Sequence, residues 1–475
     1  MTDPILHGFE ARLRRPGEAM VVSRDRVASV EGVDRMARSL ADPLRGSGVA
    51  EGSIVALAAP NGPGFLAALL AVRRHRCAAL LHDCRAPAAE RERVARALGV
   101  AATVDCRRAW PRGPSDFTIE PAAAGGASLS PETAVVKLTS GSTGSPKGIA
   151  TPSAALVADD RALAATMGLS PDERILAAIP MSHSYGLSSV VLPALMRRSL
   201  LVVPEGGGPL DPVVSAQAHE VTFFPTVPAF LQALVKIAKP LRLPASLRLV
   251  ITAGELLQPA TATSFRERYG RPVHVFYGAS ECGGIAFDRT GTAGERGTVG
   301  SPVEGVEVAL EPVAGISPGS GAVTVRSAAV ASDYLPEAEP SLAGGCFRTQ
   351  DLASYRDAEL VLEGRLDDLI NVRGKKINPR EVERVLARLE GVEDVVVMGV
   401  TPPGRDDVVV RSFVACRPGA ASPASIQVWC RRHLANHKVP RSIVLLDEIP
   451  RTDRGKLDRA ALLEMGEAGG RSGRG

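Results

Sequence analysis

One segment of the chain, residues 138–148, combines glycine, hydroxyl and lysine residues in a spacing that suits anion binding. It reads Leu-Thr-Ser-Gly-Ser-Thr-Gly-Ser-Pro-Lys-Gly and follows a short β-branched run. Glycines let successive backbone N–H groups turn toward one anion, hydroxyls add donors, and Lys147 adds a positive charge. The spacing is not that of a Walker A loop, because Pro146 stands where glycine is required. We interpret the segment as a phosphate-binding loop, here called the phosphate cradle. The alternative is a flexible glycine–serine loop, but such a loop does not require Pro-Lys-Gly at its end.

Four further segments carry the charged and polar side chains that nucleotide chemistry needs. They are Tyr277-Gly-Ala-Ser-Glu281, Phe347-Arg-Thr-Gln-Asp351, the stretch 364–374 that begins Gly-Arg-Leu-Asp, and Pro450-Arg-Thr-Asp-Arg-Gly-Lys456. Taken singly, these charges could be weak surface ion pairs, a helix cap or a solvated lysine. Together with residues 138–148, the five segments resemble the motifs of the adenylate-forming (ANL) superfamily in order and spacing. That family contains acyl- and aryl-CoA synthetases, peptide-synthetase adenylation domains and luciferases.

The resemblance covers residues 139–459 and implies a two-step reaction. A carboxylate attacks the α-phosphate of ATP and gives an acyl-adenylate and pyrophosphate, after which the acyl group passes to a thiol. Such chemistry depends on charge neutralisation and positioning. The cofactors implied are ATP, Mg²⁺ and CoA, or in place of CoA the phosphopantetheine of a carrier protein. One departure from the family pattern is Gln350, which replaces the glycine that normally precedes Asp351.

The resemblance also implies roles for individual residues. The catalytic residues would be Lys147, Glu281 and Lys456, with Lys456 bridging the α-phosphate and the acyl carboxylate. Glu281 and Ser142 would hold Mg²⁺, a cation that prefers oxygen ligands. Tyr277 would flank the adenine and Asp351 would accept the ribose hydroxyls. The full set of implied nucleotide contacts is Thr139, Ser140, Gly141, Ser142, Thr143, Gly144, Lys147, Gly254, Glu255, Tyr277, Gly278, Ser280, Asp351, Arg365 and Lys456.

The acid is expected to be a fatty or aryl acid rather than an amino acid. Residues 180–187, Pro-Met-Ser-His-Ser-Tyr-Gly-Leu, resemble the corresponding segment of acyl and aryl ligases and contain no aspartate to pair with a substrate ammonium. The acid contacts expected are His183, Phe224, Ala253, Gly278 and Gly283. Two alternatives stay open: His183 is as often a structural residue as a ligand-binding one, and either Phe223 or Phe224 belongs to the plain core.

The elements that must position these residues follow from the apolar pattern. Short β-branched runs alternate with amphipathic runs between about residues 53 and 365, which predicts helices joined to largely parallel strands. Residues 297–327 are punctuated by glycine and proline and predict a small β-barrel-like subregion. We therefore expect a large α/β N-terminal domain over residues 1–364.

A small, mobile α+β domain is expected over residues 369–465. Asn378, Pro379 and Glu381 form a helix start with a capping pattern, and strands are predicted at 395–400, 408–414 and 442–446. The glycine-rich residues 466–475 predict a disordered tail.

A hinge is expected over residues 365–368, between the two predicted domains. The resemblance implies that the small domain rotates about Asp367 between the two half-reactions. Rotation would withdraw Lys456 and bring Arg373 and Gly374 to the thiol. A simple linker turn is compatible with this.

The composition limits the classes of molecule that we expect this protein to bind. Among 475 residues, 56 Lys and Arg oppose 52 Asp and Glu, and this near balance gives no electrostatic case for a nucleic acid or an anionic membrane. The apolar runs are interrupted by arginine pairs, so no membrane span is expected. Seven dispersed cysteines favour a reducing, cytoplasmic environment. The partners expected are a small carboxylic acid and CoA, with a separate acyl-carrier protein as the alternative acceptor, and the oligomeric state is left open.

Overall fold

The computed structural model describes residues 3–122, 126–139, 146–239, 241–372, 374–402, 407–417, 419–450 and 457–469. Seven of the predicted site residues lie outside these ranges: Ser140, Gly141, Ser142, Thr143, Gly144, Arg373 and Lys456. Residues 470–475 of the predicted tail also lie outside them.

The strands of the described chain are short and are distributed along its whole length. In order they are β1 (Ala19–Ser23), β2 (Arg26–Ser29), β3 (Ile54–Ala58), β4 (Ala78–His82), β5 (Val100–Cys106), β6 (Phe117–Pro121), β7 (Thr133–Thr139), β8 (Lys147–Pro152), β9 (Arg174–Leu176), β10 (Leu200–Val202), β11 (Phe223–Thr226), β12 (Leu249–Thr252), β13 (His274–Ala279), β14 (Gly283–Phe287), β15 (Ser301–Pro302), β16 (Glu307–Pro312), β17 (Ser320–Arg326), β18 (Asp333–Leu335), β19 (Leu342–Ala343), β20 (Cys346–Arg356), β21 (Glu359–Arg365), β22 (Ile370–Val372), β23 (Lys375–Ile377), β24 (Val392–Val400), β25 (Val409–Cys416) and β26 (Ser442–Leu446).

The helices alternate with these strands. They are α1 (Pro4–Leu13), α2 (Val30–Ser39), α3 (Ala41–Gly46), α4 (Pro63–Arg74), α5 (Ala88–Ala97), α6 (Ser153–Met167), α7 (Ser184–Gly186), α8 (Leu192–Met196), α9 (Asp211–Ala218), α10 (Pro228–Lys236), α11 (Pro259–Tyr269), α12 (Ala293–Arg296), α13 (Pro379–Leu386), α14 (Pro423–His433) and α15 (Arg459–Gly469). A π-helix, Leu187–Val191, joins α7 to α8, and two 3-10 helices lie at Pro114–Asp116 and Asn436–Lys438. Among the described helices, none combines the length and the hydrophobicity that a membrane-spanning segment requires.

Two large sheets carry most of the N-terminal strands. One has the order β18-β8-β7-β4-β3-β5-β6, and the other has the order β15-β14-β13-β12-β11-β9-β10-β1-β2. Strands β3, β4, β5 and β7 are parallel neighbours, as are β13, β12, β11, β9, β10 and β1. Every residue of β3 is buried, as the continuous apolar run Ile-Val-Ala-Leu-Ala requires of a strand covered on both faces. The predicted α/β class with largely parallel sheets is confirmed.

A third sheet includes two strands of the predicted small β subregion, β16 and β17, whereas β15 of the same subregion joins the nine-stranded sheet. The third sheet has the order β16-β17-β20-β19, with β21 paired to β20. The described chain therefore contains two large mixed sheets, this smaller sheet and an α+β C-terminal part.

The chain divides into two compact units. The first comprises Met1–Val308, Val325–Arg348 and Ala358–Leu360, and the second comprises Ala309–Thr324, Thr349–Asp357 and Val361–Gly475. The second unit thus includes strand residues that precede the expected boundary at residue 364. The expected domains 1–364 and 369–465, the hinge between them and the mobility of the smaller one stay predictions.

The C-terminal part of the second unit is built around the sheet β24-β25-β26. The predicted amphipathic helix is α13, whose Val382 and Leu386 are completely buried in the core. Asn378 caps this helix by accepting from the Arg380 N–H at 3.0 Å. Glu381 does not complete the capping pattern, because both of its carboxylate oxygens accept from Lys438 at 2.7 Å.

The predicted disordered tail needs a correction. Helix α15 continues through Gly469, so residues 466–469 are helical. The helix is anchored upstream by Leu462, which is completely buried against Val396 and Phe413. Glycine composition suggested disorder, but a helix that is already packed can include Gly466 and Gly469.

Candidate active site

The described ends of the predicted phosphate cradle, Thr139 and Lys147, lie on β7 and β8. They are direct cross-strand partners. Gly148 pairs with Leu138, and a Cβ at Gly148 would lie 2.6 Å from Cγ1 of Val136. The side chain of Lys147 is 37% exposed, and its ammonium donates to the carboxylate of Glu339. The structure thus fixes both ends of the cradle and gives its lysine an anionic partner.

The motif Tyr277–Glu281 forms the end of β13 and the turn into β14. Tyr277 is buried, and Gly278 and Gly283 pack backbone against backbone: a Cβ at Gly278 would lie 2.6 Å from the Gly283 carbonyl oxygen. Gly283 has φ +70°, where side-chain-bearing residues are strained. This close approach explains why both positions are glycine. Their contact with the acid stays a prediction.

Glu281 is held by hydrogen bonds to both its backbone and its side chain. Its carbonyl oxygen accepts from the Ala331 N–H at 2.8 Å, and its Oε1 accepts from the hydroxyl of Tyr334 at 2.8 Å. Burial raises the pKa of Tyr334, and the negative charge of Glu281 raises it further. The hydroxyl is therefore a proton donor at any physiological pH, which leaves Glu281 as the acceptor.

Lys147 and Glu281 are brought together by one short segment. Tyr334, which pairs with Glu281, lies in β18, and Glu339, which pairs with Lys147, lies in the loop that follows β18. Strand β18 is paired with β8, the strand that begins at Lys147. Lys147 and Glu281 are far apart in sequence, but both contact the segment 334–339.

Two buried titratable side chains, Asp159 and Lys137, lie close to the β13–β14 turn. Asp159 on α6 accepts from the Gly284 N–H at 2.9 Å and from Ser188 Oγ at 2.6 Å. Lys137 on β7 is 5% exposed and lies within electrostatic reach of Asp159 and Glu281. Burial lowers the pKa of Lys137 and raises the pKa of Asp159, while the opposite charge of each partner acts against that shift.

Sequence reasoning missed four residues around this site: Lys137, Asp159, Tyr334 and Glu339. Only Lys137 carried a signal, because a lysine interrupts the otherwise apolar run Ala-Val-Val-Lys-Leu of a buried strand. The other three are ordinary surface-type residues in the sequence, and only the folded chain places them beside the motifs.

The segment around His183 lies against the Tyr277–Glu281 motif. Ser184, the first residue of α7, donates from its Oγ to Ser280 Oγ at 2.7 Å. Asn61 anchors the same segment by donating to the Ile179 carbonyl at 2.8 Å and accepting from the Met181 N–H at 2.9 Å. The structure therefore unites the predicted acid-binding segment with the predicted nucleotide motif.

Among the remaining predicted acid and adenine contacts, Phe224 lies near the start of β11, and Ala253 and Gly254 follow the carboxyl end of β12. Phe223 and Phe224 are both completely buried, and Phe224 packs edge-on against Phe230 with ring centroids 5.8 Å apart. Ala253 is buried at the end of β12. Gly254 has φ +92°, and Glu255 is exposed in the turn that follows. In open α/β sheets, ligands bind at this edge.

Asp351, Arg365 and Asp367 form a charged group in the second unit. Arg365 Nη1 lies 3.5 Å from Asp351 Oδ1, and the guanidinium also donates to both oxygens of Asp367 at 2.9 Å and 3.2 Å. Burial by itself would raise the pKa of Asp367, but hydrogen bonding to Arg365 and its positive charge lower it. The predicted ribose carboxylate, its arginine neighbour and the predicted hinge residue are therefore linked.

Gly374 lies in the tight turn between β22 and β23. Its φ is +81°, its N–H donates to Asn371 Oδ1 at 2.9 Å, and a Cβ there would meet nothing within 4 Å. The turn itself requires the glycine conformation, and approach of a thiol past this residue stays a prediction.

Cys282 is a structural thiol. It is completely buried, and burial raises its pKa far above the usual range, so the reactive thiolate is not formed.

Magnesium fits the donor set at Glu281. The described residues contain no group of three His, Cys, Asp or Glu side chains that could hold a metal. Mg²⁺ is commonly held by one or two carboxylates together with substrate phosphates and water, and a half-exposed Glu281 supplies one such carboxylate.

Comparison with known proteins gives two family matches. Residues 9–335 match the model of the AMP-binding enzyme family, and residues 381–456 match the model of the AMP-binding enzyme C-terminal domain. Novobiocin biosynthesis protein H from Streptomyces niveus is 30% identical over 501 residues, which cover 94% of this chain and 80% of that protein. Feruloyl-CoA synthase from Amycolatopsis sp. is 30% identical over 331 residues, 67% of each chain.

The similarity also extends to solved structures. The amide bond synthetase McbA from Marinactinospora thermotolerans is 25% identical with a TM-score of 0.78, and the match covers 97% of this chain and 99% of that one. The chain spans only 64–66% of the length of three further curated relatives, each named as a CoA ligase.

Proposed function

Because the chain belongs to the AMP-binding enzyme family, we propose that it is an AMP-forming acid–thiol ligase. It activates a fatty or aryl carboxylate as an acyl-adenylate and transfers the acyl group to CoA. A carboxylate oxygen attacks the α-phosphorus of ATP, and the bond to the bridging oxygen breaks to release pyrophosphate. The thiol sulfur then attacks the acyl carbon, AMP leaves, and the thiol proton is lost to solvent.

One observation carries the proposal: Lys147 and Glu281 converge on the segment that contains Tyr334 and Glu339. A cation for phosphate and a carboxylate for a metal are the two groups that phosphoryl and adenylyl transfer need side by side. Mg²⁺, when bound, neutralises phosphate charge and helps pyrophosphate to leave.

This chain's own residues bind and orient the reactants. Thr139 and Lys147 hold the β- and γ-phosphates, Glu281 holds the metal with Ser142, and Tyr277 and Gly254 flank the adenine. Asp351 accepts the ribose hydroxyls with Arg365 beside it, an assignment supported by their 3.5 Å approach. Lys456 offsets the negative charge that develops at the α-phosphate during attack. Asp367 serves as the pivot between the half-reactions.

Acid-dependent exchange of labelled pyrophosphate into ATP tests the first half-reaction. We expect exchange with some members of a panel of fatty, aryl and short hydroxy acids, and its loss in Lys147→Met. Lys236→Met, at an exposed lysine at the end of α10, is the matched control and should exchange normally. A nucleotide-binding regulator without catalysis would show no exchange with any acid.

The acceptor is tested by AMP formation with CoA and, separately, with a phosphopantetheinylated carrier protein. We propose CoA, supported by relatives named as CoA ligases. Turnover with carrier protein alone would establish the alternative, a stand-alone ligase that loads a carrier. We also propose a cytoplasmic location, supported by seven cysteines that are all unbridged.

A further inference from the structure

Tyr334 is fixed to the site by the strand that carries it. Strand β18 pairs antiparallel with β8, placing Tyr334 opposite Ile149 and Leu335 opposite Gly148. Ser332 reinforces the pairing, because its N–H and its Oγ both bond the Ala150 carbonyl, at 3.0 Å and 2.9 Å. Tyr334 thus stands on the strand next to β8, which begins at the cradle lysine.

The hydroxyl of Tyr334 reaches Glu281 from this fixed base. It donates to Oε1 at 2.8 Å, while the Ala331 N–H holds the backbone carbonyl of the same glutamate at 2.8 Å. Tyr334 is only 7% exposed, so its ring has little freedom to swing away. A hydrogen bond to a carboxylate is among the stronger ones in proteins, and this one selects a single side-chain direction for Glu281.

Lys137 lies on the same side of the sheet as Tyr334. Lys137, Ile149 and Tyr334 are successive cross-strand partners on β7, β8 and β18, and directly opposed residues of antiparallel strands share a face. The lysine interacts electrostatically with Glu281. Glu281 is therefore held in direction by Tyr334.

We propose that Tyr334 is a positioning residue that pre-orients the Glu281 carboxylate for a divalent cation bound together with ATP. The inference rests on the proposed function, since it assumes that a metal–nucleotide complex occupies the site. Tyr334 contacts neither phosphate nor metal in this scheme; it acts through Glu281. Removing its hydroxyl should weaken the metal-dependent part of nucleotide binding and leave the metal-independent part unchanged.

The test is a comparison of ATP affinity with and without metal in wild type and Tyr334→Phe. Calorimetry gives the ATP affinity in EDTA and in Mn²⁺, and electron paramagnetic resonance follows the bound Mn²⁺ directly. We expect the tightening of ATP binding by Mn²⁺ to fall about tenfold in Tyr334→Phe, the size expected for a hydrogen bond to a charged group. Affinity in EDTA should match wild type.

Two controls make the result specific. Tyr269→Phe removes a hydroxyl that donates to the Leu234 carbonyl at 3.1 Å, elsewhere in the first unit, and should leave the Mn²⁺ effect intact. In a Glu281→Gln background, Tyr334→Phe should have no further effect, because the residue acts only through that carboxylate. Thermal unfolding of each variant reports whether it is folded.

The outcomes separate the two claims. If Tyr334→Phe retains the full Mn²⁺ effect, or loses ATP affinity equally in EDTA, the positioning role is wrong and the tyrosine is merely structural. If wild type itself shows no Mn²⁺-dependent ATP binding, the proposed function fails first.

Discussion

At the scale of single residues, Glu281 and Lys147 each contact a side chain that lies outside the sequence motifs. Tyr334 donates a hydrogen bond to Glu281, and Lys147 donates one to Glu339. The two contacts differ in character. The tyrosine is buried and neutral, whereas Glu339 is a 36% exposed anion paired with a 37% exposed cation. An exposed pair of this kind contributes little stability and is readily exchanged for a more highly charged partner.

We therefore expect Glu339→Gln to tighten ATP binding about three- to tenfold, because phosphate no longer competes with a carboxylate for Lys147. Calorimetric titration with ATP at low and high salt measures this, and the gain should shrink as salt screens the charges. Glu220→Gln breaks a comparably exposed pair with Arg174 and should leave ATP affinity unchanged. Weaker ATP binding in Glu339→Gln would mean that the glutamate guides the lysine instead of competing for it.

His82 provides a pH prediction at the same scale. Burial and the nearby charge of Arg91 lower its pKa to about 4, and its Nε2 has no partner in the described chain. The unfolded histidine, with a pKa near 6.5, binds the proton first, so stability falls as pH decreases from about 6.5 to about 4. The loss attributable to His82 is up to about 3 kcal/mol.

Denaturant unfolding of wild type and His82→Gln across pH 4–7 isolates this contribution. Asp160, whose pKa burial raises to about 6, has the opposite sign and gains stability as pH falls, so only the difference between the two proteins is informative. His7→Gln, at an exposed histidine, is the control. Equal pH slopes for wild type and His82→Gln would contradict the assignment.

At the scale of elements, the β13–β14 turn shows how the glycines of a motif serve packing. Gly283 has φ +70°, and a Cβ there would lie 2.3 Å from Asp159 Oδ1 on α6. Asp159 in turn accepts the Gly284 N–H, so helix and turn are joined without room for a side chain. The turn that carries Glu281 is positioned by α6 as well as by its own hairpin.

Gly283→Ala should destabilise the protein by about 2–4 kcal/mol, through left-handed strain and displacement of the Asp159 carboxylate. Gly270→Ala is the matched control, because Gly270 has φ +65° and open space around its Cβ position. It should cost only about 1 kcal/mol, the backbone strain alone. Unfolding by urea measures both, and equal losses would show that the contact with Asp159 carries no weight.

At the scale of the whole molecule, the chain comprises two compact units, and the proposed reaction assigns different roles to them. The first unit holds Lys147, Glu281 and Tyr277, and the second holds Asp351, Arg365 and Asp367. The family resemblance implies that Lys456 serves adenylation only, because the second half-reaction uses a rotated arrangement.

Lys456→Ala should reduce adenylate formation at least a hundredfold, because the charge that builds at the α-phosphate loses its counter-ion. Transfer of the acyl group from pre-made acyl-adenylate to CoA should stay within about threefold of wild type, since this step does not use the lysine. Pyrophosphate exchange measures the first step and thioester formation the second, with Lys236→Ala as the control. Equal loss of both steps would argue against rotation.

Local signals were enough to predict much of this protein. The parallel strands, helix α11 and the helix cap at Asn378 follow from β-branched runs, apolar periodicity and capping chemistry, all of which act over a few residues. The five motifs predicted the family for the same reason: each is a contiguous segment whose backbone and side chains bind one part of a ligand. The family and the fold class are confirmed.

Only the tertiary structure revealed what surrounds those motifs. Tyr334 and Lys137 come from separate strands, Asp159 from a helix and Glu339 from a loop, and their contacts with the site depend on sheet order and register. Helix α15 includes residues 466–469 of the segment predicted to be disordered, because packing of Leu462 outweighs local propensity. The sequence alone is enough to predict chemistry that residues perform together when they are neighbours in the chain. Which distant side chain orients a carboxylate or pairs with a lysine depends on cross-strand pairing and burial, and these exist only once the chain has folded.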